Sequence, residues 1–162
     1  MAPRVPASPR ALDSFDRKIL RILQRDNKTP QRAIAQAVNL SAAAVQRRIA
    51  AMEQAGVITA NVALVDPAAL SLTITAIVEV FLRDERTASI DRAKALFRAT
   101  PQVQQCYYTT GGTSFVLLIV TEDMRSYEAL TRSLFSDHDW VASFRTLVAL
   151  DRVKAGTALM VP

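Results

Sequence analysis

Ser41 is followed by three alanines and then, after Val45, by Gln46, Arg47 and Arg48. A hydroxyl, a row of methyl groups and a cluster of hydrogen-bond donors suit one chemistry above others, the reading of a polyanion. Guanidinium and carboxamide groups reach base edges and phosphates, and small side chains ahead of them let a helix end approach a groove wall or a thymine methyl. The N–H groups of a helix N-terminus attract phosphate as well. The bland alternative is a solvated helix, since alanine is the best helix former.

Catalytic chemistry has little to work with. No nucleophile–base pair, phosphate-cradling glycine loop or zinc spacing is present. The single histidine, His138, sits between Asp137 and Asp139 at an expected helix end. A dipole partner is the ordinary role there, and three consecutive side chains do not readily converge on one ion. No catalytic residue, metal or cofactor is expected. Cys106 is the only cysteine, so no disulfide forms within the chain. A reducing cytoplasm suits that usage, and beside Tyr107 and Tyr108 the thiol is expected to be a packing group.

Charge then separates the chain into two parts. Residues 1–66 hold ten Lys and Arg against five Asp and Glu, whereas residues 67–162 hold ten of each, so the whole excess of +5 lies in the first part. A basic module joined to a neutral one implies an anionic partner for the first. No apolar run approaches the ~18 residues of a membrane span, and the first residues lack the apolar core of a secretory signal.

The elements that position the donors follow from periodicity. Residues 1–11, with three prolines, two arginines and no acid, are expected to be a disordered basic arm. Phe15, Ile19, Ile22 and Leu23 form a helical stripe behind Asp13 as N-cap. A second short helix follows, with Thr29 as cap, Pro30 at its first position and Ile34, Ala37 and Val38 inside. The third helix starts at Ser41, packs Val45, Ile49 and Met52 inward, and is stopped by Gly56. Residues 42, 43, 46 and 47 then face outward. Three helices, the last two joined by a short turn, make a helix-turn-helix over residues 12–58.

Beyond it, residues 59–70 read as an extended linker ending in a turn at Asp66-Pro67. Residues 72–82 alternate strictly, with apolar side chains at every even position, which is a strand. Helix 87–99, strand 102–110, a Gly-Gly turn, strand 115–121, helix 123–137 and strand 143–153 follow, then a tail over 155–162. The order β-α-β-β-α-β over residues 71–154 is the ferredoxin-like split unit. Two helices cover one sheet face, leaving a face with Ile77 and Phe81 as an expected association surface. The fold class is α+β.

A helix-turn-helix followed by this unit resembles the Lrp/AsnC family of leucine- and asparagine-responsive transcription regulators. "LDSFDRKIL", "LSAAAVQRRIAAMEQAGVI", "VALVDPAAL", "YYTTGGTSFVLLIV" and "FRTLVALDRVK" carry the likeness in the family's order. The resemblance implies a winged-type DNA-binding domain, a hinge strand within 59–70, and a ligand-binding ferredoxin-like (RAM) domain. It implies double-stranded DNA as partner, homodimers assembling into octamers or similar rings, and a cytoplasmic, nucleoid-associated regulator of amino-acid metabolism or transport. It places Ser41, Ala42, Ala43, Gln46, Arg47 and Arg48 at DNA, and Gln31 and Arg32 at backbone phosphate. It places a small effector, usually an amino acid, at Tyr108, Thr110, Gly111, Gly112, Thr113, Ser114 and Thr146.

Two positions depart from the family pattern. Ala42 stands where proline is common, which the first helical position tolerates. Ser114 stands where the loop usually carries aspartate, the natural partner of an α-ammonium group. A hydroxyl there gives a neutral hydrogen bond, roughly half as strong as a charge-assisted one. The effector is then not a simple amino acid, or binds weakly, or is absent, and Gly111-Gly112 also fits a hairpin with no ligand. The alternative function is an effector-binding oligomeric module with weak or lost DNA binding.

Overall fold

The computed structural model describes residues 11–162, so the basic arm expected over residues 1–11 lies almost wholly outside the described residues. The chain divides into a helical unit, which runs to Leu64 and takes in Lys154–Pro162, and a sheet unit, Val65–Val153.

In the helical unit, α1 (Ser14–Leu23) opens with a reciprocal cap. The Asp13 carboxylate accepts from the Asp16 N–H, and Asp16 reaches back to the Asp13 N–H. Two of the otherwise orphaned donors of the first turn are thereby satisfied. In α2 (Gln31–Val38), Pro30 is the N-cap residue and offers no side-chain acceptor. The expected cap Thr29 instead donates its hydroxyl to the Asp26 carbonyl, closing the preceding turn. The buried positions of α2 are Ile34, Ala35 and Val38. Ala37, expected inside, is exposed, and Ala35 is buried in its place.

The turn into α3 (Ala42–Gln54) is built locally. Asn39 adopts a left-handed conformation (φ 56°), and the Leu40 N–H reaches back to Ala35 O at 3.0 Å. Asparagine tolerates that conformation better than other residues with a side chain. Ser41 Oγ then accepts from the Ala44 N–H at 3.2 Å. At the far end Gly56 (φ 72°) lets Val57 N–H bond Met52 O at 2.9 Å and Gly56 N–H bond Glu53 O at 3.1 Å. That pair closes the helix as a Schellman motif. No atom lies within 4 Å of a Cβ built at Gly56, so conformation and not space requires glycine there. Ile19, Ile34, Ala35, Val38, Val45 and Met52 make the core.

The terminal segment belongs to this unit and is not a free tail. Leu159 exchanges two hydrogen bonds with the Gln24 side chain, and Arg21 donates twice to Val161 O. Residues 59–66 pair with no strand of the sheet and run as a linker. A short 3-10 turn, Pro67–Leu70, follows, capped by Asp66. Its last bond, Leu72 N–H to Pro67 O, holds Leu72 out of the sheet, and β1 therefore begins two residues later than its alternation predicts.

The sheet unit contains β1 (Ile74–Leu82), α4 (Thr87–Ala99), β2 (Val103–Tyr108), β3 (Phe115–Thr121), α5 (Met124–Thr131) and β4 (Val141–Val148). The strand order is β2-β3-β1-β4, all antiparallel, with the most apolar strands at the centre. Ala76, Val78 and Val80 of β1 are buried, as the even-position alternation requires. They meet Phe97 of α4, Tyr127 of α5, and Phe115, Leu117 and Ile119 of β3. The last helix spans nearly the expected residues, α5 running on into a π-helical turn at Arg132–Ser136. The extra residue per turn places Leu134 and Phe135, neighbours in sequence, both inside. On the opposite sheet face Ile77 stands across from Leu147, and both are exposed. Cys106, expected to be packed, lies exposed on the edge strand β2.

Candidate nucleic-acid interface and effector loop

The outer face of α3 is set by what its inner face buries. Val45 and Met52 are fully buried and Ile49 packs beside them. Ser41, Ala42, Ala43, Gln46 and Arg47 are consequently exposed in one patch, and Gln31 and Arg32 are exposed at the start of α2. Because Pro30 supplies no side-chain cap, the first-turn N–H groups of α2 are donors of the kind phosphate accepts from.

Arg48 is a different case and is separated from that patch. Its guanidinium bonds Asp13 and Asp16, each at 2.8 Å, and lies 5.4 Å from the Phe15 ring centre. Asp16 is 1% exposed. The two carboxylates hold the guanidinium firmly charged, Asp16 contributing most. Arg48 ties the recognition helix to α1, and the geometry gives it an internal partner where a DNA contact was expected. Arg48→Ala removes the guanidinium that faces the buried Asp16 carboxylate at 2.8 Å. The expected loss is about 1–3 kcal/mol, mostly from the desolvated carboxylate. The half-exposed Asp13 adds little. Calorimetric melting should show the helical transition falling by several degrees. The fluorescence of Trp140, the single tryptophan, which packs on Phe97 in the sheet unit, reports whether that unit is untouched. An unchanged helical transition excludes the strut role.

The loop between β2 and β3 is a six-residue hairpin connection, 109–114. Thr109 N–H bonds Ser114 O at 3.0 Å, and Thr109 Oγ1 donates to Thr113 O at 2.6 Å. Gly111 (φ 95°) and Gly112 (φ 97°) both take conformations that side chains disfavour, in open space. Thr110, Gly111 and Gly112 are exposed at the tip, and Thr113 is half-buried.

Ser114 is buried, and its hydroxyl both donates and accepts. Oγ accepts from Leu82 N–H at 3.1 Å and donates to Glu85 Oε1 at 2.8 Å. The phenol of Tyr108 donates to Glu85 Oε2 at 2.7 Å. Glu85, in the connection from β1 to α4, thus brings Tyr108 and Ser114 into one network. The Tyr108 and Ser114 hydroxyls hold its carboxyl below the ordinary range, Tyr108 having the larger effect. Sequence reasoning missed Glu85, because it lies 29 residues from Ser114 and only the β1–β3 pairing joins them. Thr146 stands apart from this network. Its hydroxyl pairs with Tyr127 under α5.

His138 stacks on Trp140, ring centres 4.9 Å apart. It lines an open cleft of about 500 Å³ with Arg83, Phe135, Asp137 and Phe144. Among the described residues no group of three or more His, Cys, Asp or Glu is placed to hold a metal ion, and no helix is long and apolar enough to cross a membrane.

Two family models match the chain. Residues 12–59 match the family model described as winged helix-turn-helix DNA-binding, and residues 75–159 match the Lrp/AsnC ligand binding domain. An uncharacterised HTH-type transcriptional regulator of Sinorhizobium fredii is 38% identical over 91% of this chain and 88% of its own. The proline dehydrogenase transcriptional activator of Rhodobacter capsulatus is 33% identical, covering 88% of this chain and 92% of its own. A Neisseria meningitidis transcriptional regulator, solved as its L-methionine complex, superposes with a TM-score of 0.86 at 27% identity, over 93% of this chain and 97% of that one.

Proposed function

The chain belongs to the Lrp/AsnC family of helix-turn-helix transcriptional regulators, and we propose that it binds operator DNA through the exposed face of α3 as a homodimer that responds to an amino acid. The observation that carries the DNA reading is the patch of Ser41, Ala42, Ala43, Gln46 and Arg47, exposed on a helix whose opposite face is fully buried. The two alanines leave the helix end slim enough to enter a major groove, and Gln46 and Arg47 one turn on are the base- or phosphate-directed donors. Gln31 and Arg32 fix the register on the backbone. The methionine complex of the Neisseria relative supports an amino acid as effector, and the name of the Rhodobacter relative supports amino-acid metabolism as the controlled process. The hairpin tip at 110–113 is the part of the effector region open to a ligand. The bare sheet face supports a dimer that assembles further into a ring, in a cytoplasmic setting.

Fluorescence anisotropy on DNA from immediately upstream of its own gene, at ~50 and ~200 mM salt, tests the reading. A phosphate-contacting dimer loses affinity steeply over that range, and an amino-acid pool should shift the curve. Salt-insensitive or absent binding overturns the DNA role. Arg47→Ala should weaken operator binding by about 1–3 kcal/mol and relax preference at one position if Arg47 reads a base. A uniform loss across sequences with a shallower salt slope assigns it to phosphate, and an unchanged affinity removes it from the interface.

A further inference from the structure

We infer that Glu85 is the group that recognises the ammonium of the effector, so that this chain selects ligands carrying a free amino group through a residue outside the hairpin loop. The inference rests on the effector reading of that loop and names the ligand chemistry it takes. Both Glu85 oxygens accept a hydroxyl, from Tyr108 and from buried Ser114. Each oxygen keeps a further acceptor site, and the side chain is exposed beside the loop. The two hydroxyls fix the carboxylate in place without neutralising it. No cation offsets it either. Among the described residues Glu85 has no Lys or Arg partner, although basic residues flank it in sequence. Lys94 sits over the Tyr108 ring, its Nζ 5.0 Å from the ring centre. The adjacent acid, Asp84, accepts from Arg86 N–H and from Ser89 Oγ at the start of α4, both on its Oδ1.

The charge of Glu85 strengthens both hydroxyl bonds that hold it, and its exposed side stays open to a further donor. A preorganised, unpaired anion beside a ligand loop is what an ammonium group seeks. Ser114 then positions Glu85 and does not touch the ligand, since it is buried and its one proton goes to Glu85.

Calorimetry on the full chain with the twenty common L-amino acids, and with the deaminated counterpart of whichever binds best, tests this. The wild type should bind the amino acid at least about tenfold more tightly than the deaminated acid. Glu85→Gln should lose that discrimination, binding both at the weaker level. The amide keeps an acceptor oxygen for one hydroxyl, and a thermal melt of E85Q within a few degrees of wild type shows the fold is kept. Equal binding of both ligands by the wild type, or full discrimination in E85Q, overturns the role of Glu85. Those results leave the loop standing as the effector site if Thr110→Arg, at its exposed tip, still abolishes binding. No binding of any amino acid by the wild type overturns the loop reading and this inference together.

Discussion

Phe97→Ala should cost the sheet unit about 3–5 kcal/mol, the usual range for removing a fully buried phenylalanine. Phe97 is 0% exposed and meets three rings: Phe115 at 5.4 Å and 79°, Phe135 at 6.1 Å and 67°, and Trp140 at 6.2 Å. The first two are edge-on arrangements of the kind aromatic pairs favour. Against a domain stability of roughly 5–15 kcal/mol, that loss leaves the unit marginal near 37 °C. The effect reaches the effector loop through Phe115. Its ring lies 5.2 Å from that of Tyr108, and its backbone follows directly on Ser114. Loosening Phe115 therefore loosens both hydroxyls that hold Glu85. Urea unfolding followed by Trp140 fluorescence should show an earlier midpoint, with effector binding lost in the same variant. An unchanged midpoint would mean the surroundings collapse into the space, and Phe97 would not be the keystone of this core.

How far such features can be read from sequence depends on how local their causes are. The Ser41 cap and the Gly56 stop were legible, because each is decided within five residues of itself. The alternation of β1 was legible because one face is buried, which fixes the register. Arg48 was misread. It stands beside Gln46 and Arg47 in sequence, but the carboxylates that claim it are 32 and 35 residues away. The π-helical turn was hidden, since Leu134-Phe135 as a buried pair has no signature at a 3.6-residue period. Cys106 was misread because its apolar neighbours suggested cover, whereas β2 is an edge strand. Glu85 was the costliest omission. Residue 114 was judged by its own type, a hydroxyl in place of a carboxylate, although the negative charge at that place arrives from another segment.

The second large effect concerns assembly, and it follows from the uncovered sheet face. Ile77 and Leu147 are direct partners across β1 and β4, 39% and 47% exposed, with Val116 and Leu118 beside them on β3. Tyr107 extends the same face on β2, opposite Val116. The Glu79–Arg145 ion pair sits between the two strands on that side. An apolar strip with a self-satisfied ion pair within it suits a two-fold contact between copies, where each face must complement itself. Ile77→Arg places a charge there without touching the core, and an exposed substitution of that kind changes the fold stability little. Sedimentation should then show a monomer. Affinity for DNA with two half-sites should fall about 100-fold or more, since joint engagement of two sites multiplies binding by 10²–10⁴, while a single half-site binds as before. A variant that stays dimeric moves the contact to another surface. A monomer that keeps its affinity would mean that one copy of α3 holds the operator unaided, a result at odds with so small a set of reading groups as Gln46 and Arg47.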